Sequence, residues 1–520
     1  MKYFKSLPFL ILTAFVVSTG ILYAQKENTL IRIESNENAP IINKHIYGHF
    51  AEHLGRSIYE GFYVGENSTI PNSKGVRIDI INALKELKIP NLRWPGGCFA
   101  DTYHWMDGIG DQANRPTIVN TWWGGVTEDN SFGTHNFLNL CEELGAEPYL
   151  SGNVGSGGVQ ELADWVQYTN FKGKSPMSDL RRENGKEEPW GVKYWGIGNE
   201  AWGCGGNMRP EYYADIYKKY VTFMSDADVE GGIYKIASGA SNDDYNWTEV
   251  LMKNIPKSML QGVALHHYSV IDWSAKGPDV NFDEETYFKT MKESWLMEEL
   301  IVKHTAIMDK YDKKKEVDLI VDEWGGWYEV AEGTNPGFLF QQNTMRDAMI
   351  AGMNLNIFNN HADRVKMANL AQTVNVLQAV ILTEDEKMIL TPTYHVMNMY
   401  KVHQDATLIP LSFDSPLYNF KEESLPALTV SASKDKNEEI HISFTNIDTK
   451  NGSTVSIDLT DLKLKNIMGA ILSSESLQDH NTFDNPNKIE PKNFKDFKFK
   501  KGMLEVTIPP FSVLVLEGKK

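Results

Sequence analysis

Between His45 and Asn360, short apolar segments alternate with longer amphipathic or polar stretches, and the alternation occurs eight times. The apolar segments fall at residues 46–50, 91–94, 147–152, 193–197, 236–240, 263–267, 318–322 and 354–358. Runs of that length bounded by turn residues read as buried strands. The intervening stretches at 75–87, 135–144, 160–169, 210–225, 243–253, 284–311 and 343–353 carry helical patterning. Strand and helix alternating eight times predicts a parallel (β/α)8 TIM barrel. With 520 residues the chain has room for a second domain. After Pro392 the texture changes to short alternating stretches at 427–433, 439–446, 454–459, 504–508 and 511–516, split by polar turns. That spacing predicts a C-terminal antiparallel β-sandwich of jelly-roll type. Residues 28–42 also read as strands and are expected to cross over into the sandwich. The expected division is therefore 25–44 joining the sandwich, 45–390 barrel and 391–520 sandwich.

The first residues carry a different signal. Lys2 and Lys5 precede an apolar run that ends in Leu22-Tyr23-Ala24. Residues 1–24 thus have the pattern of a cleaved signal peptide, predicting export to the periplasm or the medium. No other long apolar run follows, so no membrane anchor is expected after cleavage. The net charge of -18, with no basic stripe, argues against nucleic acid or an anionic membrane as partner. There are three cysteines, Cys98, Cys141 and Cys204. So few in an exported chain predict no disulfide framework, and without a CxxC pair a cysteine zinc site is not expected. Gly108-Ile109-Gly110-Asp111-Gln112-Ala113 fits a loose dinucleotide pattern, but it follows Trp105-Met106-Asp107 rather than a strand. A calcium-loop start at Asp226 fails because its twelfth position is Ala237. With no HExxH and no P-loop either, neither metal nor cofactor is expected.

A barrel places its chemistry at the carboxyl ends of its strands. Those ends are unusually polar here: His49-Phe50-Ala51-Glu52-His53, Arg93-Trp94-Pro95-Gly96-Gly97-Cys98, Ser151-Gly152-Asn153, Asn199-Glu200, His266-His267-Tyr268, Asp322-Glu323 and Asn359-Asn360-His361. A single carboxylate at a strand end is most often a helix cap or an ion-pair partner. Two runs, Tyr194-Trp195-Gly196-Ile197-Gly198-Asn199-Glu200 and Leu319-Ile320-Val321-Asp322-Glu323-Trp324, each close an apolar strand with a glutamate. Two such glutamates facing one pocket are equipped to cleave a glycosidic bond, one donating a proton while the other attacks the anomeric carbon. Asn199 is placed to bond a sugar hydroxyl, and His266 and Tyr268 to hold the nucleophile's carboxylate. Net retention requires the two carboxyl groups about 5–5.5 Å apart.

These segments resemble glycoside hydrolase family 51, the α-L-arabinofuranosidases. The resemblance is carried by Ile46-Tyr47-Gly48-His49-Phe50-Ala51-Glu52-His53-Leu54-Gly55-Arg56, Leu92-Arg93-Trp94-Pro95-Gly96-Gly97-Cys98-Phe99-Ala100-Asp101, Trp195-Gly196-Ile197-Gly198-Asn199-Glu200, His267-Tyr268, Asp322-Glu323-Trp324 and Ala371-Gln372-Thr373-Val374-Asn375. It implies a retaining, exo-acting enzyme that releases terminal arabinofuranose from plant oligo- or polysaccharides. Glu200 would be the acid/base and Glu323 the nucleophile. Glu52, Arg93, Asn199, His266, Tyr268 and Gln372 would bind or position the sugar, and Trp123 and Trp327 would wall the pocket. Cys98 stands where some relatives carry Asn, the position of a sugar contact. The resemblance also implies no metal and assembly into a homo-oligomer, commonly a hexamer. A β-xylosidase or endo-β-glucanase on the same scaffold, or a glycan-binding protein without turnover, are the competing expectations.

Overall fold

The computed structural model describes residues 28–34, 36, 38–225 and 228–520; the leader expected at 1–24 lies outside them. Eight parallel strands close into a barrel in sequence order: Gly48–Phe50, Asn91–Trp94, Glu147–Gly152, Tyr194–Ile197, Tyr234–Ser241, Gly262–Ser269, Asp318–Gly326 and Val365–Leu370. The last closes on the first through Asn369 opposite Gly48 and Leu370 opposite His49. Helices such as Ile78–Leu87, Thr134–Leu144, Val159–Asn170, Pro210–Phe223, Tyr245–Asn254 and Glu284–Tyr311 form the outer ring. Their apolar faces bury Leu84, Phe137, Trp165, Tyr213, Trp247 and Met291 against the strands.

One expected strand is a helix. Residues 354–358 lie within the helix Met345–Asn360, and the eighth barrel strand is Val365–Leu370. The physical reason is burial on every side. Side chains from Met345 through Asn359 are all buried, because this helix is wedged between barrel and sandwich. A helix without a solvent face shows no amphipathic period, and its apolar run then looks like a strand. Polar residues on it reach sideways: Asn356 Nδ2 donates to Thr429 O at 3.2 Å, and Asn359 Nδ2 to Ser431 Oγ at 3.0 Å.

The C-terminal part is a sandwich of two sheets around Val430, Phe444, Val455, Leu504 and Leu514. The strand Asn28–Ile33 joins it, pairing in parallel with Ser453–Asp458 and antiparallel with Leu411–Ser412. Among the described residues from 34 to 42 the expected N-terminal strand pattern does not continue, and one bridge, Ile41 to Thr407, is formed there. The barrel's apolar core runs without a break into Ile447, Leu472, Val513 and Val515 of the sandwich. Among the described residues no helix is long and apolar enough to cross a membrane.

Candidate active site

The fourth barrel strand stops at Ile197, and the chain turns sharply through Gly198 at φ 79° to Glu200 at φ 41°. A left-handed glutamate is a conformation that its surroundings must hold. Here the neighbouring Asn199 N–H donates to Asp101 Oδ2 at 2.8 Å, while the Glu200 carbonyl accepts from Gly203 N at 2.7 Å. Asp101 also accepts from the N–H groups of Val154 and Gly155, which ties down the glycine-rich loop after the third strand. Burial raises the Asp101 carboxyl to about 7 against the pull of these three bonds.

Glu323 lies inside the seventh strand. Regular pleating would send Asp322 and Glu323 to opposite faces. The ladder with the sixth strand slips between Ala264 and His266, and the ladder with the eighth slips between Val321 and Trp324. These bulges let both carboxylates face the same cluster. Asp322 Oδ2 accepts from Tyr149 OH at 2.7 Å, and Asp322 Oδ1 lies 3.1 Å from His266 Nε2. Glu323 Oε1 accepts from Arg93 Nη1 at 2.8 Å and Glu323 Oε2 from Tyr268 OH at 2.8 Å. His266 and Tyr268 face inward, whereas His267 between them turns away to Asn242 and Glu293 O, as strand alternation requires.

His266 Nδ1 bridges the two glutamates, 3.0 Å from Glu200 Oε1 and 3.3 Å from Glu323 Oε2. One carboxylate oxygen each of Glu200 and Glu323 and a ring nitrogen of His266 lie within 4.8 Å of one another. Burial alone would discharge this imidazole, but the charges of Glu323, Asp322 and Glu200 around it raise it to about 10. Burial pushes the Glu200 carboxyl above its usual range, the bond from His266 pulls it back, and the Glu323 charge raises it again. Asp322 goes the other way: burial works against its charge, but Arg93 and His266 hold it below the ordinary carboxylate range. Glu200 and Asp322, two carboxyls around the same imidazole, are thus pushed in opposite directions.

Arg93 is the electrostatic hinge of the site. Its Nη1 bonds Glu323, its Nη2 donates to Asn199 Oδ1, and its Nε reaches Ser151 Oγ at 3.2 Å. Removing it would strand two buried carboxylates, a loss of about 3–5 kcal/mol. Glu52 sits at the edge of this network. It accepts from Trp123 Nε1 at 2.9 Å, from Phe99 N at 3.3 Å and from Gln372 Nε2 at 2.7 Å. Burial, with the Glu323 charge, raises the Glu52 carboxyl to about 7. Gln372 Oε1 is buried without a hydrogen-bond partner among the described residues, an acceptor left open at the site. Trp327 packs edge-on against Tyr268, with ring centroids 5.1 Å apart, and shares an apolar cluster with Trp123. Gly96 and Gly97 are required by proximity: a Cβ on Gly97 would stand 2.9 Å from Glu323 Oε1, and one on Gly96 2.8 Å from Glu52 Cγ.

The fold therefore gathers Glu52, Arg93, Cys98, Trp123, Asn199, Glu200, His266, Tyr268, Glu323, Trp327 and Gln372 around one pair of carboxylates. Asn359, Asn360 and His361 are not among them, because they belong to the wedged helix. Asn360 bonds Val430 O in the sandwich, and His361 bonds Glu298. The expectation for the cysteines is overturned as well: Cys98 and Cys204 form a disulfide. The two are 106 positions apart, and the loops after the second and fourth barrel strands, which flank the third, bring them together. Cys98 accordingly has no S–H to offer a sugar. The sequence places Ser151 and Asp322 among the polar strand ends without a role, and it gives Tyr149, Asp101 and Cys204 no place at the site. Tyr149 and Ser151 carried one legible signal, alternate positions on the third strand; the bulges that turn Asp322 inward left none.

Comparison with known proteins decides the family. Residues 322–512 match the family described as "Alpha-L-arabinofuranosidase C-terminal domain", and residues 83–286 the "Alpha-L-arabinofuranosidase 1 domain". A Bacteroides ovatus protein named "Intracellular exo-alpha-L-arabinofuranosidase" is 52% identical over 98% of this chain and 99% of its own length. The chain belongs to the family-51 α-L-arabinofuranosidases. The crystal structure of the family-51 arabinofuranosidase from Xanthomonas axonopodis pv. citri is 46% identical, covers 95% of this chain and 100% of its own, and superposes with a TM-score of 0.92. An arabinose complex of the Thermotoga maritima α-L-arabinofuranosidase is 31% identical, covers 94% of this chain and 99% of its own, and reaches 0.83. The expectation of export is corrected by the same comparison: the Bacteroides ovatus relative, matched almost end to end, is named an intracellular protein.

Proposed function

We propose that this family-51 enzyme is an exo-acting α-L-arabinofuranosidase that releases terminal arabinofuranose from plant oligo- or polysaccharides with net retention, through a glycosyl ester on Glu323. The observation that carries the mechanism is the closeness of the two carboxylates. One oxygen of Glu200 and one of Glu323 lie within 4.8 Å of each other, a closeness that favours a retaining pair over an inverting pair, which leaves about 6.5–9.5 Å between its carboxyl groups for water. Arg93 and Tyr268 donate to both oxygens of Glu323 and keep it aimed. Glu200, raised by burial, holds the proton that the leaving oxygen takes up. Once the aglycone departs, the same carboxylate deprotonates the water that frees the sugar. Asn199, fixed by Arg93, and Gln372, with its open Oε1, are the sugar-hydroxyl contacts, and Trp123 and Trp327 wall the pocket. A hexameric assembly comes with the family resemblance.

A panel of aryl glycosides that differ only in sugar, followed by proton NMR of the first product, tests this reading. Rapid turnover of the α-L-arabinofuranoside with the α anomer appearing first is expected. Preference for xylosides or cellodextrins, or first appearance of the β anomer, would overturn it. Glu323→Ala is expected to abolish turnover with the chain still folded. Glu200→Ala is expected to slow substrates with poor leaving groups far more than activated ones, because an activated phenolate departs without a proton.

A further inference from the structure

Double displacement has no use for the bond between Cys98 and Cys204, yet it lies against the acid/base candidate. Cys204 Sγ is 3.4 Å from Glu200 Oε2, and Cys98 Sγ is 3.9 Å from the same oxygen. One ligating atom from each of the three residues lies within 4.8 Å of the other two. Both cysteines are partly exposed, whereas the remaining one, Cys141, is buried among apolar neighbours.

We propose that reduction of the Cys98–Cys204 bridge converts this corner of the active site into a three-ligand site for a thiophilic divalent cation such as Zn2+, made of two thiolates and the Glu200 carboxylate. The electrons come from a dithiol reductant. Its two thiols give up two electrons and two protons and close to a disulfide, while the Cys98–Cys204 bond opens to two thiols. The cation then displaces the two thiol protons. A tetrahedral ion with Zn–S of about 2.3 Å and Zn–O of about 2.0–2.2 Å sets each S···O distance near ~3.5–3.7 Å and the two sulfurs about 3.8 Å apart. The observed S···O distances of 3.4 and 3.9 Å already bracket the first requirement. Only the sulfurs must part, by side-chain rotation on Cα atoms 5.4 Å apart. The fourth position is left for water, as in other three-ligand zinc sites. Metal binding stands on this geometry alone. Its consequence, reversible inhibition, rests on the assignment of Glu200 as acid/base, because a carboxylate bound to a cation cannot carry the proton.

The test uses the full-length protein, either oxidised or reduced with dithiothreitol and freed of it anaerobically, and offers Zn2+ or Co2+ alone. Retention of about one Zn2+ per chain by the reduced protein and none by the oxidised one is expected. With Co2+, the reduced protein should show the near-ultraviolet thiolate-to-metal absorption that marks cysteine ligation. Cys204→Ser, Cys98→Ser and alkylation of the reduced protein should each remove both signals, and Glu200→Gln should weaken binding at least tenfold. Equal retention in oxidised, reduced and Cys204→Ser proteins would overturn the site, and unweakened binding by Glu200→Gln would overturn its third ligand. Alkylated wild-type protein serves if a serine variant does not fold. The acid/base assignment is tested apart from this, by metal-free Glu200→Gln on good and poor leaving groups, so either idea can fail alone.

Discussion

The side chain that most directly controls the reactive carboxylates is His266, because it touches both. Its charge and its Nδ1–H lower the Glu200 carboxyl from the value that burial would impose. An acid catalyst works only while protonated, so the alkaline limb of kcat/KM against pH marks the point where free Glu200 loses its proton. Removing the cation leaves only the Arg93 charge against burial and the Glu323 charge, which favour the protonated form. His266→Gln is therefore expected to move the alkaline limb to higher pH while lowering the maximum; a limb that stays put or moves down would contradict the coupling. Tyr268 bears on the other carboxylate. Its hydroxyl bonds Glu323 Oε2, and a hydrogen bond to a charged group contributes about 1.5–3 kcal/mol. Tyr268→Phe is expected to lower kcat/KM roughly tenfold to a hundredfold with the melting temperature little changed, read by steady-state kinetics beside a thermal melt.

At the scale of elements, the first seven barrel strands could be read from sequence because each is a short apolar run between turn residues. The eighth could not. The run 354–358 was the better strand by composition, but its true partners lie on both sides of a helix. What hides a helix from sequence is the loss of its solvent face, and Met345–Asn360 has none. The site divides along the same line. Glu200, Arg93 and Tyr268 stand at or beside strand ends, and Glu323 in the carboxyl-terminal half of its strand, where barrel geometry alone points. The inward turn of Asp322 depends on two register slips, and the Cys98–Cys204 pairing on loops after two different barrel strands, so no local pattern announces either. The wedged helix also yields a stability test. A Cβ on Gly352 would stand 2.2 Å from Thr445 Oγ1, which Tyr400 already bonds at 3.0 Å. Overpacking of this kind costs about 1–3 kcal/mol. Gly352→Ala is expected to lower the thermal midpoint yet leave kcat/KM at 25 °C unchanged, since Gly352 touches no group of the carboxylate site.

For the whole molecule, the question is whether the barrel is a unit that stands without its sandwich. The continuous core argues that it is not. Ile447, Leu472, Val513 and Val515 belong to the same apolar cluster as the barrel's own Trp324 and Phe358. Polar groups on the wedged helix depend on the sandwich as well: Asn356 on Thr429, Ser431 and Ser443, Asn359 on Ser431, and Asn360 on the Val430 carbonyl. Burying one large apolar side chain contributes about 1.5–3 kcal/mol, and the margin of a folded protein is only about 5–15 kcal/mol. Losing the sandwich uncovers apolar side chains of a helix that is buried from Met345 to Asn359, and a few of them consume most of that margin. The N-terminal strand adds a topological tie, since Asn28–Ile33 precedes the barrel in sequence yet lies in the sandwich sheet. A chain ended after Tyr400 is therefore expected to be insoluble, or soluble only as a dye-binding state without a cooperative melt. A soluble truncated barrel that melts cooperatively and hydrolyses an aryl arabinofuranoside would show that the sandwich is an accessory rather than half of the folding unit.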